Sequence, residues 1–256
     1  MNTGRSALAH FLSRIGVSVA GFVATFFIAR ELGSEALGLY TIGVALLFVV
    51  KIPLSAVGSA ISKRVSEGHE EARFFWSGIT INATIGVVLA GGIVGGGELV
   101  NEYVGADVAI FLAALVLLQA LLIAVQAGLI GHKRVAQSGL VDVVERIGRT
   151  GFQIVLVLIG FHVAGLYLGF VASLAVSVVL ALVLVGGRPS VPSTEQFRSL
   201  LDFTKFSWVG QLRYRSFGWM DTIVLAFFVG PGLIGVYEVA WTLSNVLALA
   251  GGSIQQ

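Results

Sequence analysis

Apolar residues fall into long runs separated by short polar stretches, and the runs set the fold class. Eight of them cover approximately 7–30, 37–61, 74–96, 107–131, 139–160, 163–186, 206–229 and 233–255. Each has the ~20 residues that a helix needs to cross a hydrocarbon core. Within the runs Leu, Val, Ala, Ile and Gly follow one another without strict alternation. That disfavours a transmembrane barrel, whose strands alternate apolar and polar side chains. The pattern predicts an all-α integral membrane protein with about eight transmembrane helices. The first run is too long for the apolar core of a signal peptide and no small-residue cleavage site follows it, so it reads as a spanning helix.

A short pattern recurs between the runs. Leu32-Gly33-Ser34-Glu35-Ala36-Leu37-Gly38-Leu39-Tyr40 aligns with Val229-Gly230-Pro231-Gly232-Leu233-Ile234-Gly235-Val236-Tyr237, 197 residues later, with both glycines and the tyrosine in register. Solenoid units have periods of ~20–50 residues. A repeat this long in a membrane chain points instead to a transporter assembled from duplicated helical halves. The longest connector, Gly187 to Lys205, carries Pro189 and Pro192 and separates the copies. The expected organisation is a complete six-helix lobe at 1–187, a cytoplasmic linker at 188–205, and at 206–256 the first two helices of a second, pseudo-symmetric lobe. With an even number of helices per lobe the copies run parallel, so the seventh run corresponds to the first and the eighth to the second. The second copy has barely begun when the chain stops at Gln256, and the sequence therefore reads as a C-terminally truncated chain.

Composition narrows the chemistry. The chain is 56% hydrophobic and 12% charged, whereas soluble domains carry ~25% charged residues. Its 33 glycines suit close helix packing, with the densest cluster at Gly91-Gly92 and Gly95-Gly96-Gly97. Cysteine is absent, which excludes disulfides and thiolate chemistry. His10, His69, His132 and His162 lie in different segments without ligand spacing, so no metal or other cofactor is expected. A formal charge of +2 is too small to suggest nucleic acid.

The basic residues instead orient the chain. With the N-terminus in the cytoplasm, the inner segments hold Arg5, Lys63, Arg64, Arg73, Lys133, Arg134, Arg188, Arg198 and Lys205, and the outer segments hold only Arg30. The outer segment near 97–107 carries Glu98, Glu102 and Asp107, and Glu31 and Glu35 fall at an outer, solvated turn. This is a positive-inside distribution in the cytoplasmic membrane.

Ionisable residues inside the runs carry the functional information, because a charge near the bilayer centre costs ~2.5–3.5 kcal/mol on insertion scales and is kept for an interior or a watery cavity. Lys51 lies deep in the second run, followed by Pro53, which loosens the helix locally. Arg14 lies two turns into the first run, from where it can reach a cavity or snorkel to the interface. Arg213, Arg215 and Asp221 share the seventh run, and Glu238 follows Tyr237 in the eighth. The fifth run opens with Asp142, Glu145, Arg146 and Arg149, whose i,i+4 order puts each acid before its base, as expected for ion pairs along a helix. The alternative is that Arg146 and Arg149 rim the inner mouth of a cavity. The adjacent acids Glu70-Glu71 lie in a short inner loop and read as a solvated face, which leaves an enzyme such as a polyprenyl-phosphate transferase without a metal-binding carboxylate pair.

The segment Ala29-Arg30-Glu31-Leu32-Gly33 through Gly38-Leu39-Tyr40 resembles the first loop of the Wzx-type oligosaccharide-lipid flippases of the multidrug/oligosaccharidyl-lipid/polysaccharide exporter superfamily. Phe217-Gly218-Trp219-Met220-Asp221, with Gly230, Gly235, Val236 and Tyr237, is similar to that family's seventh helix and the loop after it. Family members usually have twelve to fourteen helices, more than this chain supplies. The resemblance implies two six-helix lobes around a cavity that opens alternately to each side, carrying an isoprenoid-linked oligosaccharide phosphate or pyrophosphate for surface polysaccharide or glycoprotein glycan synthesis. Arg14, Lys51, Arg213 and Arg215 would then supply an anion-binding surface with Arg146 and Arg149 at its mouth, since a desolvated phosphodiester calls for charge-assisted donors. Asp221 and Glu238 are candidates for coupling to a cation. Partners would be the lipid-linked oligosaccharide, membrane lipids and glycan-assembly enzymes. A multidrug exporter of the same superfamily is the nearer rival. It calls for an acidic, aromatic cavity, whereas the intramembrane set is basic in excess.

Overall fold

A computed structural model describes residues 3–186, 190–215 and 219–252, together with their side chains apart from those of 3–20, 209, 211–215 and 246–252. Among the described residues the chain is helical and contains no strand. The helices are α1 (Thr3–Ser66), α2 (Glu71–Gly95), α3 (Gly97–Val104), α4 (Ala109–Gly131), α5 (Val135–Leu158), α6 (His162–Val185), α7 (Thr194–Arg215), α8 (Met220–Leu225) and α9 (Pro231–Gly252).

The first two apolar runs are the two arms of α1, broken at Gly33 with φ 85° and ψ 167°. A side chain could not adopt that backbone without strain, which is why glycine occupies the break. Glu31 and Glu35, either side of it, are exposed as the sequence suggests. Among the described residues four helical stretches are long and apolar enough to cross a membrane: Gly21–Ser66, Glu71–Gly95, Ala109–Gly131 and His162–Val185. Val87 and Val88 on α2 and Val179 and Val183 on α6 are exposed, as lipid-facing residues of a multi-pass protein must be.

Three expectations need correction. The seventh run is not one helix: α7 ends at Arg215 and α8 covers only Met220–Leu225 before the chain turns through Gly230. Nor does helix wait until residue 206. It begins at Thr194, inside the stretch read as linker, because Ser193 and Gln196 form a Ser-x-x-Gln start signal. There the Ser193 hydroxyl donates to the Gln196 side chain, Phe197 N–H donates to Ser193 O at 3.2 Å, and the Gln196 amide donates onward to Glu70. A short helix, α3, also fills the segment expected to be a loop between the third and fourth runs. Asn101 of α3 caps α4 by accepting from Val108 and Ala109 N–H at 2.8 and 2.9 Å.

Helix α4 is the hub of the packing, with Leu112, Leu115, Val116, Leu122, Val125 and Leu129 buried. One core runs from these through Val57 and Ile61 of α1, Phe75 of α2 and Phe170 of α6 to Leu200 of α7 and Ile234 of α9. Small residues allow the close approaches. A Cβ at Gly78 would stand 2.2 Å from Ile61, and one at Gly128 2.3 Å from Phe75. The dense glycine cluster behaves otherwise. Gly91, Gly92 and Gly95 meet nothing within 4 Å among the described residues, so they make no close helix contact there. They fall where α2 ends and the chain turns into α3.

Asn82 is the polar pin of this core. Fully buried on α2, its amide donates to Leu54 O of α1 at 3.3 Å and to Ala120 O of α4 at 3.2 Å. Interhelical hydrogen bonds of this kind contribute about 1 kcal/mol in membranes. Asn82→Leu, which removes both bonds while keeping the bulk, is therefore expected to lower the thermal midpoint in detergent. An unchanged midpoint would mean that the amide only fills space.

The connections group into two ends. At one, the α1–α2 and α4–α5 turns meet the starts of α5 and α7: Arg134 donates to Leu184 O and Val185 O at the end of α6, and His132 lies 3.3 Å from Glu71. Most of the loop lysines and arginines lie at this end, and Arg64, hydrogen-bonded to Glu67, holds that carboxyl below its usual range. At the other end lie the Gly33 break, α3 and the start of α9. The Tyr103 hydroxyl there donates to Ile223 O at 2.8 Å and its ring packs 4.9 Å from Phe227.

Candidate functional site

The repeat noted in the sequence is a physical junction. A Cβ on Gly38 would lie 1.8 Å from the Pro231 carbonyl oxygen, and one on Gly235 would lie 1.9 Å from the Ser34 carbonyl oxygen. Ser34 corresponds to Pro231 and Gly38 to Gly235 in the alignment, so each copy's second glycine presses on the other copy's helix start. The second arm of α1 and α9 thus meet with pseudo-twofold symmetry at the Gly33 end.

Between this junction and the basic end lies a cavity of about 550 Å³. Its wall is drawn from α1, α4, α5, α6 and α9, with Trp219 from just before α8. Four of the residues singled out in the sequence line it: Lys51, Arg146, Arg149 and Glu238. Lys51 Nζ sits 5.0 Å above the Phe48 ring, which stacks on Trp219 with centroids 4.5 Å apart. A cation over an aromatic face is held by the ring's electron density. Arg149 lies over Phe170 at 4.6 Å, with its Nε 3.6 Å from Glu145 Oε1, so the expected Glu145–Arg149 pairing is present. Asp142, in contrast, accepts from Gln126 Nε2 at 2.8 Å. Arg146 is exposed where it lines the cavity. Glu238 is half-buried and accepts from Thr242 Oγ1 at 3.2 Å.

The remaining expectations divide. Asp221 does not line the cavity. It accepts from the Tyr237 hydroxyl and, at 2.8 Å, from Thr222 N–H, which ties α8 to α9. The side chains of Arg14, Arg213 and Arg215 lie outside the described residues. Sequence reasoning passed over the neutral part of the wall: Tyr40, Gln119, Gln126, Gln153 and Trp219. A signal was available, since Gln119 and Gln126 stand two turns apart, on one face of an otherwise apolar run. Gln153 Nε2 donates to the Tyr40 hydroxyl at 2.8 Å and to Leu166 O at 2.9 Å. The basic excess expected inside the membrane is also not a property of this wall. Among the described residues Lys51, Arg146 and Arg149 are matched by Asp142, Glu145 and Glu238.

A family model for polysaccharide biosynthesis proteins matches residues 3–254. The chain belongs to that family. Among its relatives, a probable low-salt glycan biosynthesis flippase of Haloferax volcanii is 28% identical over 250 residues, which is 97% of this chain and 53% of the relative. A probable flippase of the same organism is 25% identical over 254 residues, 98% of this chain and 53% of the relative. The chain therefore spans about half the length of these curated relatives. A solved structure, the inward-facing conformation of a multidrug resistance MATE family transporter of the MOP superfamily, matches 88% of this chain and 57% of its own with a TM-score of 0.69 and 16% identity. That likeness establishes a shared fold.

Proposed function

We propose that the protein to which this chain belongs flips a lipid-linked oligosaccharide across the cytoplasmic membrane by alternating access. The single observation that carries this is the cavity lined by Lys51, Arg146 and Arg149 between elements of both repeat copies, next to their glycine junction. The names of the Haloferax volcanii relatives support the substrate class. In this proposal about eight helices cross the membrane, six forming the first lobe and two beginning the second. The N-terminus is cytoplasmic, so the basic end is the inner one and the glycine junction seals the outer face.

The chemistry follows from the wall. An isoprenoid phosphate or pyrophosphate entering from the inner side loses water, and cationic donors replace it. The guanidinium groups of Arg146 and Arg149 provide forked donors and Lys51 a point charge. Arg14, Arg213 and Arg215 extend this surface in the proposal by their positions in the sequence. Glu238, on α9 and in the wall, is placed to couple a cation to the exchange of states, with Asp221 as the second carboxylate of that lobe. Rocking about the junction would then expose the saccharide outside while its lipid tail stays in the bilayer.

Deleting the gene and extracting lipids with the two leaflets distinguished tests this directly. Accumulation of an inward-facing lipid-linked saccharide with loss of the surface glycan is expected. Unchanged glycolipids with increased sensitivity to amphipathic cationic drugs would replace the proposal by multidrug export.

A further inference from the structure

The charge-balanced wall also contains polar groups that a phosphate does not require. Gln119 is only 6% exposed, lines the cavity, and among the described residues its amide has no hydrogen-bond partner. The residue is buried but its amide opens on the cavity, where its donors and acceptor are available to a ligand. Two turns further along α4, Gln126 gives one amide proton to Asp142 Oδ1, which leaves its carbonyl and the second Asp142 oxygen as acceptors. Tyr40 accepts from Gln153 through its hydroxyl oxygen and keeps its own proton to donate. Trp219 adds a broad aromatic surface to the same wall.

We propose that this face, centred on Gln119, the Gln126–Asp142 pair, Tyr40 and Trp219, is a saccharide-reading subsite distinct from the cations that hold the phosphate. Sugar hydroxyls both donate and accept, so they need a wall offering carboxylate acceptors, amide donors and acceptors, and phenol together. Bare phosphate needs donors alone. The C–H face of a pyranose ring packs on an aromatic surface such as Trp219. Subsites that hydrogen-bond hydroxyls discriminate strongly, because a ligand lacking them leaves buried polar groups unpaired. The inference rests on the proposed flippase activity and sharpens it: Gln119 and Asp142 decide whether a glycosylated lipid is preferred to its unglycosylated precursor, whereas Lys51 and Arg146 act on both lipids alike.

Equilibrium binding of farnesyl phosphate and farnesyl phosphoglucose to the full gene product in detergent separates the two roles. The unaltered protein is expected to prefer the glucosylated lipid at least tenfold. Gln119→Leu should erase that preference and leave farnesyl phosphate affinity unchanged, whereas Asp142→Asn, which removes a negative charge from the wall, should erase it while both lipids bind more tightly. Lys51→Gln should weaken both lipids in parallel. Equal affinity of the unaltered protein for the two lipids would overturn the subsite and leave the phosphate site standing, as would a preference that survives Gln119→Leu. Binding of neither lipid would overturn the flippase proposal itself. Circular dichroism and thermal midpoints of the variants separate lost binding from lost folding, and Gln119→Glu, which keeps an acceptor in place, is expected to retain part of the preference.

Discussion

Gly38→Val is expected to stop transport, and Gly235→Val to do the same, although neither position touches the cavity. Each substitution puts a side chain where the other repeat copy has a backbone carbonyl, at 1.8 Å for Gly38 and 1.9 Å for Gly235. Backbone cannot rotate away as a side chain can, so α1 and α9 must separate. Overpacking of a tight contact costs about 1–3 kcal/mol. That is enough to shift an equilibrium between inward-open and outward-open forms by roughly 5- to 150-fold. The chain has no cysteine of its own, so Ser34→Cys introduces a single thiol at the junction. It should resist a membrane-impermeant thiol reagent added from outside, and should label once Gly235→Val is added. Equal labelling in both backgrounds, with normal transport, would mean that the junction is not a seal.

The second large effect is expected from removing cations. In Lys51→Gln/Arg146→Gln the described wall changes from balanced charge to an excess of two negative charges, with Asp142, Glu145 and Glu238 unchanged. A hydrogen bond to a charged group contributes about 1.5–3 kcal/mol. Losing two of them should reduce transport by roughly 10²-fold or more. Neither residue is buried in the core, so expression and thermal midpoint should stay near those of the unaltered protein. Arg149 is a poorer probe because its removal strands Glu145, which is only 14% exposed and paired with it at 3.6 Å. Lys51→Arg, which keeps the charge, is expected to recover much of the activity. Full transport in the double variant would remove the anion-binding role from this cavity.

Much of this architecture was legible because membrane physics leaves few options. Apolar run length located the two arms of α1 and helices α2, α4, α5, α6 and α9, because an apolar run of that length folds as one long helix. The repeat pattern marked the two segments that form the junction as related copies, but nothing in the sequence said that they press on each other. Lys51 was legible for a different reason: a charge so deep in an apolar run needs a cavity, and it lines one. What escaped was governed by polar detail rather than apolar length. The Ser193–Gln196 start of α7 lies among prolines that read as linker, and the division of α7 from α8 leaves no gap in the apolar run. Gly91 and Gly92 were read as packing residues because composition does not say which way a glycine faces. Gln119 and Gln126 carry no formal charge and so do not stand out in an apolar run, yet an uncharged amide there carries a related cost. Asp221 stood out by its charge alone, and its acceptor bonds from Tyr237 and Thr222, which tie α8 to α9, were not legible in the sequence.

The most direct test is leaflet exchange in reconstituted vesicles. The full gene product, placed in liposomes with a fluorescent isoprenoid-phosphate-linked saccharide, should make the inner-leaflet pool available to an external quencher. Lys51→Gln/Arg146→Gln in the same liposomes should leave that pool hidden, as protein-free liposomes do. Exchange at equal rates in the double variant, or no exchange by the unaltered protein alongside uptake of an amphipathic cation, would contradict flipping of an anionic glycolipid through this cavity.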